Sequence, residues 1–112
     1  MKDLEKYLCP SCGFKFLVSL YDEDGEFDAV DEICPACGYT FGYTDINSGY
    51  SYKDWRHKWI SEGLNWWSKR ESEPQWNPVE QLKGIGVELD SNNNIVKEPE
   101  EPEWHKKWIH KD

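Results

Sequence analysis

Positive charge is scarce in this chain. Lys and Arg number 13 against 22 Asp and Glu, for a formal net charge of −9. Residues 1–44 alone hold three basic against nine acidic side chains. Such a surface repels phosphate backbones, so nucleic acid is a poor default partner. A basic protein is a better one, because complementary charge speeds encounter. Acidity of this size also serves plain solubility. Long apolar runs are missing too. None approaches the roughly 18 residues a membrane-spanning helix needs, so no membrane partner is expected. The opening "MKDLEKYL" carries two acids and no apolar h-region, unlike a secretory signal. That points to the cytoplasm, where thiols stay reduced. No Ser/His/Asp order, phosphate-cradling glycine loop or paired-carboxylate arrangement stands out, which argues against an enzyme.

Aromatic residues, by contrast, are abundant. The 112 residues include Trp 7, Tyr 6 and Phe 4. Each ring buries a large area, so a small core built mainly from rings is feasible. A chain of this length suits one domain or a mini-domain with an extension, and it often needs a metal or disulfides to hold it.

The four cysteines fall into two pairs, Cys9/Cys12 and Cys34/Cys37, spaced C-x2-C-x21-C-x2-C with none left over. This is close to the spacing of a four-thiolate zinc site. Zinc takes four ligands tetrahedrally at about 2.3 Å from each sulfur, and two intervening residues let one tight turn aim both sulfurs at one ion. Pro10 and Pro35 stiffen the turns, and Gly13 and Gly38 supply the positive φ that the next residue commonly needs. A thioredoxin-like redox site would need a single C-x-x-C before a helix, whereas each pair here leads into a strand-like run. Disulfides call for an oxidising compartment, and catalytic zinc for an open position that four thiolates close. Structural Zn2+ held by Cys9, Cys12, Cys34 and Cys37 is the expectation.

The runs after each pair fit that reading. "FKFLVSL" (14–20) alternates Phe14, Phe16 and Val18, and "YTFGY" (39–43) alternates Tyr39, Phe41 and Tyr43, both as strands do. The acidic "YDEDGEFD" (21–28) lacks the ligand spacing of an EF-hand and reads as a hairpin tip. Two knuckles joined by a short antiparallel sheet make a zinc ribbon over 1–50.

Residues 51–84 read as a helical, aromatic extension packed on that ribbon. "SYKDWRHKWISEG" (51–63) predicts a helix with Ser51 as N-cap, Asp54 as its capping-box partner and Gly63 as the stop, with Leu64 in contact beyond it. Tyr52, Trp55, Trp59 and Ile60 share one face, suited to covering the sheet; a ligand-binding aromatic cage is the sharper alternative. Adjacent Trp66 and Trp67 cannot both point the same way, so at least one is expected to be exposed or to clamp a loop. "WNPVEQLKG" (76–84) predicts a short helix capped by Asn77, with Pro78 in its first turn and Gly84 at its end.

Residues 85–112 read as a hairpin, an acidic linker and an amphipathic helix. "GVELDSNNNIVKE" (86–98) predicts strands near 86–89 and 95–97. Asp90, Asn92 and Asn94 mimic the opening of a calcium loop, but Ile95 stands where that loop requires glycine, so a turn is expected. After the extended "EPEEPE" (98–103), "WHKKWI" at 104–109 echoes "WRHKWI" at 55–60. The tail helix, with Trp104 and Trp108 four apart, would dock on the chain itself, on a second copy or on a partner. His57, His105 and His110 read as solvated helix positions.

The stretches "CPSCGF", "EICPACGYTFGYTD", "GYSYKDWRHKWISEGLNWWS" and "WNPVEQL" resemble those of small bacterial C-P-x-C-G zinc-ribbon proteins of uncharacterised function. The likeness covers about residues 7–82, and the acidic first loop departs from it. It implies a single cytosolic domain, metal ligation by the four cysteines and, since some relatives sit beside toxin genes, a toxin-immunity role.

These readings converge on an α+β protein: an N-terminal zinc ribbon packed by an aromatic-rich helix, then a short hairpin and helix. The expected function is a non-catalytic protein-interaction module for a basic partner, with Trp66, Trp67, Trp104 and Trp108 as candidate contact residues and self-association open through the C-terminal helix. A nucleic-acid adaptor using Trp66, Trp67 and "HKKWIHK" to stack on bases is the alternative.

Overall fold

The computed structural model describes residues 6–68 and 76–109. Five regular elements occur among them: helix α1 (Tyr52–Ser61), helix α2 (Pro78–Lys83), strands β1 (Glu88–Leu89) and β2 (Ile95–Lys97), and helix α3 (Glu103–Lys106). Together the described residues make a small mixed α/β protein with a two-stranded antiparallel sheet and three helices. None of its described helices is long and apolar enough to cross a membrane.

The expected sheet in residues 1–50 is not formed as a ladder. Three isolated antiparallel bridges stand in its place, at Leu8↔Lys15, Tyr21↔Phe27 and Ile33↔Thr40. The chain pairs once at Phe16 N–H to Tyr7 O and again at Leu20 N–H to Lys6 O, and it loops out between them. Leu17 and Val18 are consequently 99% and 66% exposed. Ser19 helps to break the strand: its hydroxyl takes the Tyr21 N–H and bonds the Tyr21 carbonyl, the kind of local side-chain bond that competes with ladders. After Phe41 the chain enters consecutive turns, with the Thr44 N–H on Thr40 O and the Asn47 N–H on Tyr43 O. Tyr43 therefore leaves the buried face shared by Tyr39 and Phe41.

Helix α1 forms where its caps place it. The Ser51 hydroxyl accepts the Asp54 N–H at 2.9 Å. At the other end the Gly63 N–H bonds Ile60 O and the Leu64 N–H bonds Trp59 O, the paired bonds of a Schellman stop. Gly63 has φ 105, and Leu64 is buried beside it. In α2 the Asn77 side chain accepts the Val79 and Glu80 N–H groups, and Leu82 is fully buried. The hairpin pairs Glu88 with Lys97 and Leu89 with Ile95. Its turn is fixed by the Asp90 carboxylate, which accepts the Asn92 and Asn94 N–H groups. The predicted tail helix is a single turn at Glu103–Lys106, begun by Pro102 without a side-chain cap.

The three expected segments share one core. Tyr39 and Phe41 from the knuckle region meet Tyr52 and Trp59 of α1, Leu82 of α2 and Val87 before the hairpin. Phe27 joins this core to the tail: its ring lies 5.3 Å from Phe41 and 5.3 Å from Trp104.

Candidate metal centre

The two cysteine turns are built alike, offset by 25 residues. In the first, Cys9 N–H bonds Phe14 O, Gly13 N–H bonds Cys9 O and Phe16 N–H bonds Tyr7 O; in the second, Cys34, Gly38 and Phe41 make the same bonds to Tyr39, Cys34 and Glu32. Gly13 and Gly38 have φ 89 and 82, as a turn that aims two sulfurs inward requires. The repeated C-P-x-C-G is thus repeated geometry.

Facing each other, the turns bring four free, buried thiols together. Cys9 Sγ lies 4.0 Å from Cys37 Sγ, and Cys12 Sγ lies 3.5 Å from Cys34 Sγ. All four sulfurs are within 4.8 Å of one another. A tetrahedron with metal–sulfur bonds of about 2.3 Å has edges of roughly 3.8 Å, so the cluster could hold a metal ion with little adjustment. Burial pushes the Cys12 and Cys37 thiols well above their usual pKa. At Cys9 burial pushes the same way, but hydrogen bonds from the neighbouring thiols outweigh it and hold the group well below. Buried sulfurs this close do not all ionise unaided, and a dication supplies the missing charge.

Three carbonyls of each turn are engaged by residues 55–81. Arg56 donates from Nη2 to Pro10 O at 2.8 Å and from Nε to Ser11 O at 2.7 Å, while Gln81 Nε2 donates to Cys12 O at 3.2 Å and lies 3.4 Å from Cys12 Sγ. On the second turn Ser68 N–H bonds Pro35 O, Trp67 N–H bonds Ala36 O and Trp55 Nε1 bonds Cys37 O. Such outer bonds orient ligands and tune a metal. Sequence patterning did not disclose them, because a carbonyl acceptor leaves no mark on residue type.

No protein-family model, curated protein or solved structure matches the chain. Its site therefore has to be read from its own atoms.

The candidate contact tryptophans divide into two places. Trp66 packs edge-on to Phe14 and Trp76, and its indole N–H is buried without a partner. Trp67 lies over Gly38 and stays 54% exposed. Trp104 stacks on Phe27, and Trp108 meets both rings edge-on. The tail thus docks on its own chain in this structure.

The histidine expectation needs correction. His57 is exposed but pairs with Glu98 at 2.9 Å. His105 is 0% exposed, between Asp45 at 2.6 Å on Nε2 and Glu101 at 2.5 Å on Nδ1. His110 lies outside the described residues. The Glu101-x-x-x-His105 spacing was the available signal; Asp45, sixty positions away, gave none.

Proposed function

We propose that the protein is a zinc ribbon whose Zn2+, held by Cys9, Cys12, Cys34 and Cys37, is structural, and that the folded unit acts as a non-catalytic interaction module for a basic protein. The observation that carries this reading is the closure of the cluster. All four sulfurs are buried, and the rims of both turns are hydrogen-bonded by the helical segment. A ligand set of four thiolates leaves the ion no open position, so its work is to hold the two turns together. With chemistry withdrawn from the surface, what faces solvent is acidic, with a net charge of −9. Complementary positive charge on a partner would raise its on-rate and set its orientation.

A bacterial cytoplasmic immunity protein that neutralises a basic toxin is the specific form of this role that we favour. The nucleic-acid alternative loses ground. Trp66 packs edge-on against Phe14 and Trp76, Trp108 against Phe27 and Trp104, and His105 is buried among carboxylates, which leaves Trp67 as the exposed ring of that set. Native mass with and without chelator is expected to give one zinc per chain. Pull-down with the purified protein is expected to enrich basic proteins in a salt-sensitive way. Absence of stoichiometric zinc, or capture that ignores partner charge, overturns the reading.

A further inference from the structure

Beside the second cysteine turn lies a cleft of about 200 Å3. Trp55, Trp59, Trp66 and Trp67 line it, together with the Lys58 and Glu62 side chains. Core packing accounts for Trp59, which is buried, but not for Trp67, which remains half exposed. The cleft already holds a cation. Lys58 Nζ sits 5.0 Å from the centroid of the Trp55 ring, and both Glu62 carboxylate oxygens accept it, at 3.1 and 2.9 Å. Indole faces carry negative potential and attract ammonium or guanidinium groups, and a carboxylate at the rim adds the counter-charge.

We propose that this cleft receives a lysine or arginine side chain from the basic partner, in the place that Lys58 occupies in the free protein. The inference rests on the partner reading above and assigns that partner a point of entry. Lys58 and Glu62 are both substantially solvent-exposed, and an exposed pair of this kind yields readily to a competitor. Lys58 swings to water on a flexible stem. The incoming cation takes its place over Trp55 and against Glu62, with the exposed Trp67 ring as the adjoining wall. The guest and Lys58 repel each other, so they compete for one position. This competition separates the proposal from simple acidity: neutralising Lys58 frees the position for a guest, and neutralising Glu62 removes the guest's partner.

The probes are tetramethylammonium chloride and N-acetyl-lysine methylamide, titrated into the zinc-loaded full chain against sodium chloride at equal ionic strength. The readout is the set of tryptophan indole N–H resonances. Saturable shifts are expected at the cleft tryptophans, with Trp104 and Trp108 unmoved. Lys58→Met is expected to tighten probe binding and Glu62→Gln to weaken it, each by about two- to fivefold, the size of one exposed cation–π or ion-pair contact. Shifts reproduced by sodium chloride, or a Lys58→Met affinity equal to that of the unaltered protein, overturn the proposal. Pull-down of basic proteins that persists without probe binding defeats the cleft and spares the functional reading. Probe binding without any basic partner in pull-down does the reverse.

Discussion

The imidazole of His105 lies flat on the ring of Tyr52, with centroids 3.7 Å apart and planes 3° from parallel. Both its nitrogens face carboxylates, Asp45 on one side and Glu101 on the other. A neutral imidazole has one N–H and would set a lone pair against the second carboxylate, so with both acids ionised the geometry calls for the imidazolium. A charged ring on an aromatic face then gains cation–π attraction. The Glu101 carboxylate also accepts the Tyr52 and Lys53 N–H groups, at the helix end where an anion is favoured. A single proton thus ties the tail to α1 and to the turn that carries Asp45.

That proton sets a pH dependence. Burial alone would lower the His105 pKa, but the bonds to Asp45 and Glu101 outweigh it and hold it above 6.5. The Tyr39 hydroxyl, 3.4 Å from Nε2, is the other polar group facing the ring. A raised histidine pKa contributes stability that is complete below the unfolded value and is lost as pH rises through the folded one. At Glu101 burial raises the pKa, but bonds from His105, Tyr52 and Lys53 prevail and lower it, so its contribution is lost as pH falls through the folded value. Denaturant midpoints of the unaltered protein and of His105→Gln are expected to converge on the alkaline limb. A difference that stays constant from pH 6.5 upward defeats the assignment.

What the sequence disclosed follows from how local each signal is. The cysteine spacing, the Ser51 and Asn77 caps and the Gly63 stop each act within a few residues, and each appears in the structure. Alternation at Phe14, Phe16 and Val18 predicts strands in residues 1–50 that stop at single bridges, since it says nothing of whether a paired neighbour continues alongside. The W-[RH]-[HK]-K-W-I echo held more than helical spacing suggested. Its second position is a buried cation in both copies, Arg56 and His105, and each is bonded to an acid of the 98–101 stretch. Glu98 reads as part of a solvated linker because its pairing with Arg56 across 42 residues has no period to detect, whereas Glu101 stands one helical turn from His105.

Arg56 tests whether the outer bonds matter to the metal. Only 2% exposed, it spans Pro10 O, Ser11 O and Glu98 with three nitrogens. Arg56→Met leaves the Pro10 and Ser11 carbonyls without their donor and Glu98 with only His57 and Lys53, at a cost of about 1–3 kcal/mol per orphaned carbonyl. Lysine is no substitute, because one ammonium cannot match the planar fork. For Arg56→Lys, competition against a coloured chelator is expected to show metal held about tenfold more weakly. Equal metal affinity in both proteins would reduce Arg56 to a packing residue.

Chelation is expected to unfold the chain rather than merely empty a site. A structural zinc contributes roughly 10–16 kcal/mol in small zinc-binding peptides, while a domain's whole stability is about 5–15 kcal/mol. The cluster lies within the core that contains Tyr39 and Phe41. Near-ultraviolet circular dichroism, dominated by the packed rings, should collapse when a strong chelator is added and return with zinc. Cys37→Ser should reproduce the collapse. A chelated protein that keeps its aromatic signal and a cooperative transition would show that the core stands without the metal.

Three glycines with nearly equal φ separate backbone strain from contact. Gly13, Gly25 and Gly38 have φ of 89, 83 and 82, so alanine at each bears a similar left-handed cost of about 1–2 kcal/mol. At Gly25 an added Cβ meets nothing within 4 Å, and Gly25→Ala isolates that cost. At Gly38 the Cβ would lie 2.5 Å from the Trp67 ring. A half-exposed side chain can swing away, so Gly38→Ala should cost somewhat more and shift tryptophan emission to the red. At Gly13 the Cβ would strike the Gln81 carbonyl, which belongs to the backbone of α2. That helix cannot retreat without pulling the Gln81 side chain from Cys12. The expected order of destabilisation is Gly13→Ala, then Gly38→Ala, then Gly25→Ala, with faster zinc loss in the first. Equal denaturant midpoints for the three would mean that φ alone decides, and that neither α2 nor Trp67 presses on the cysteine turns.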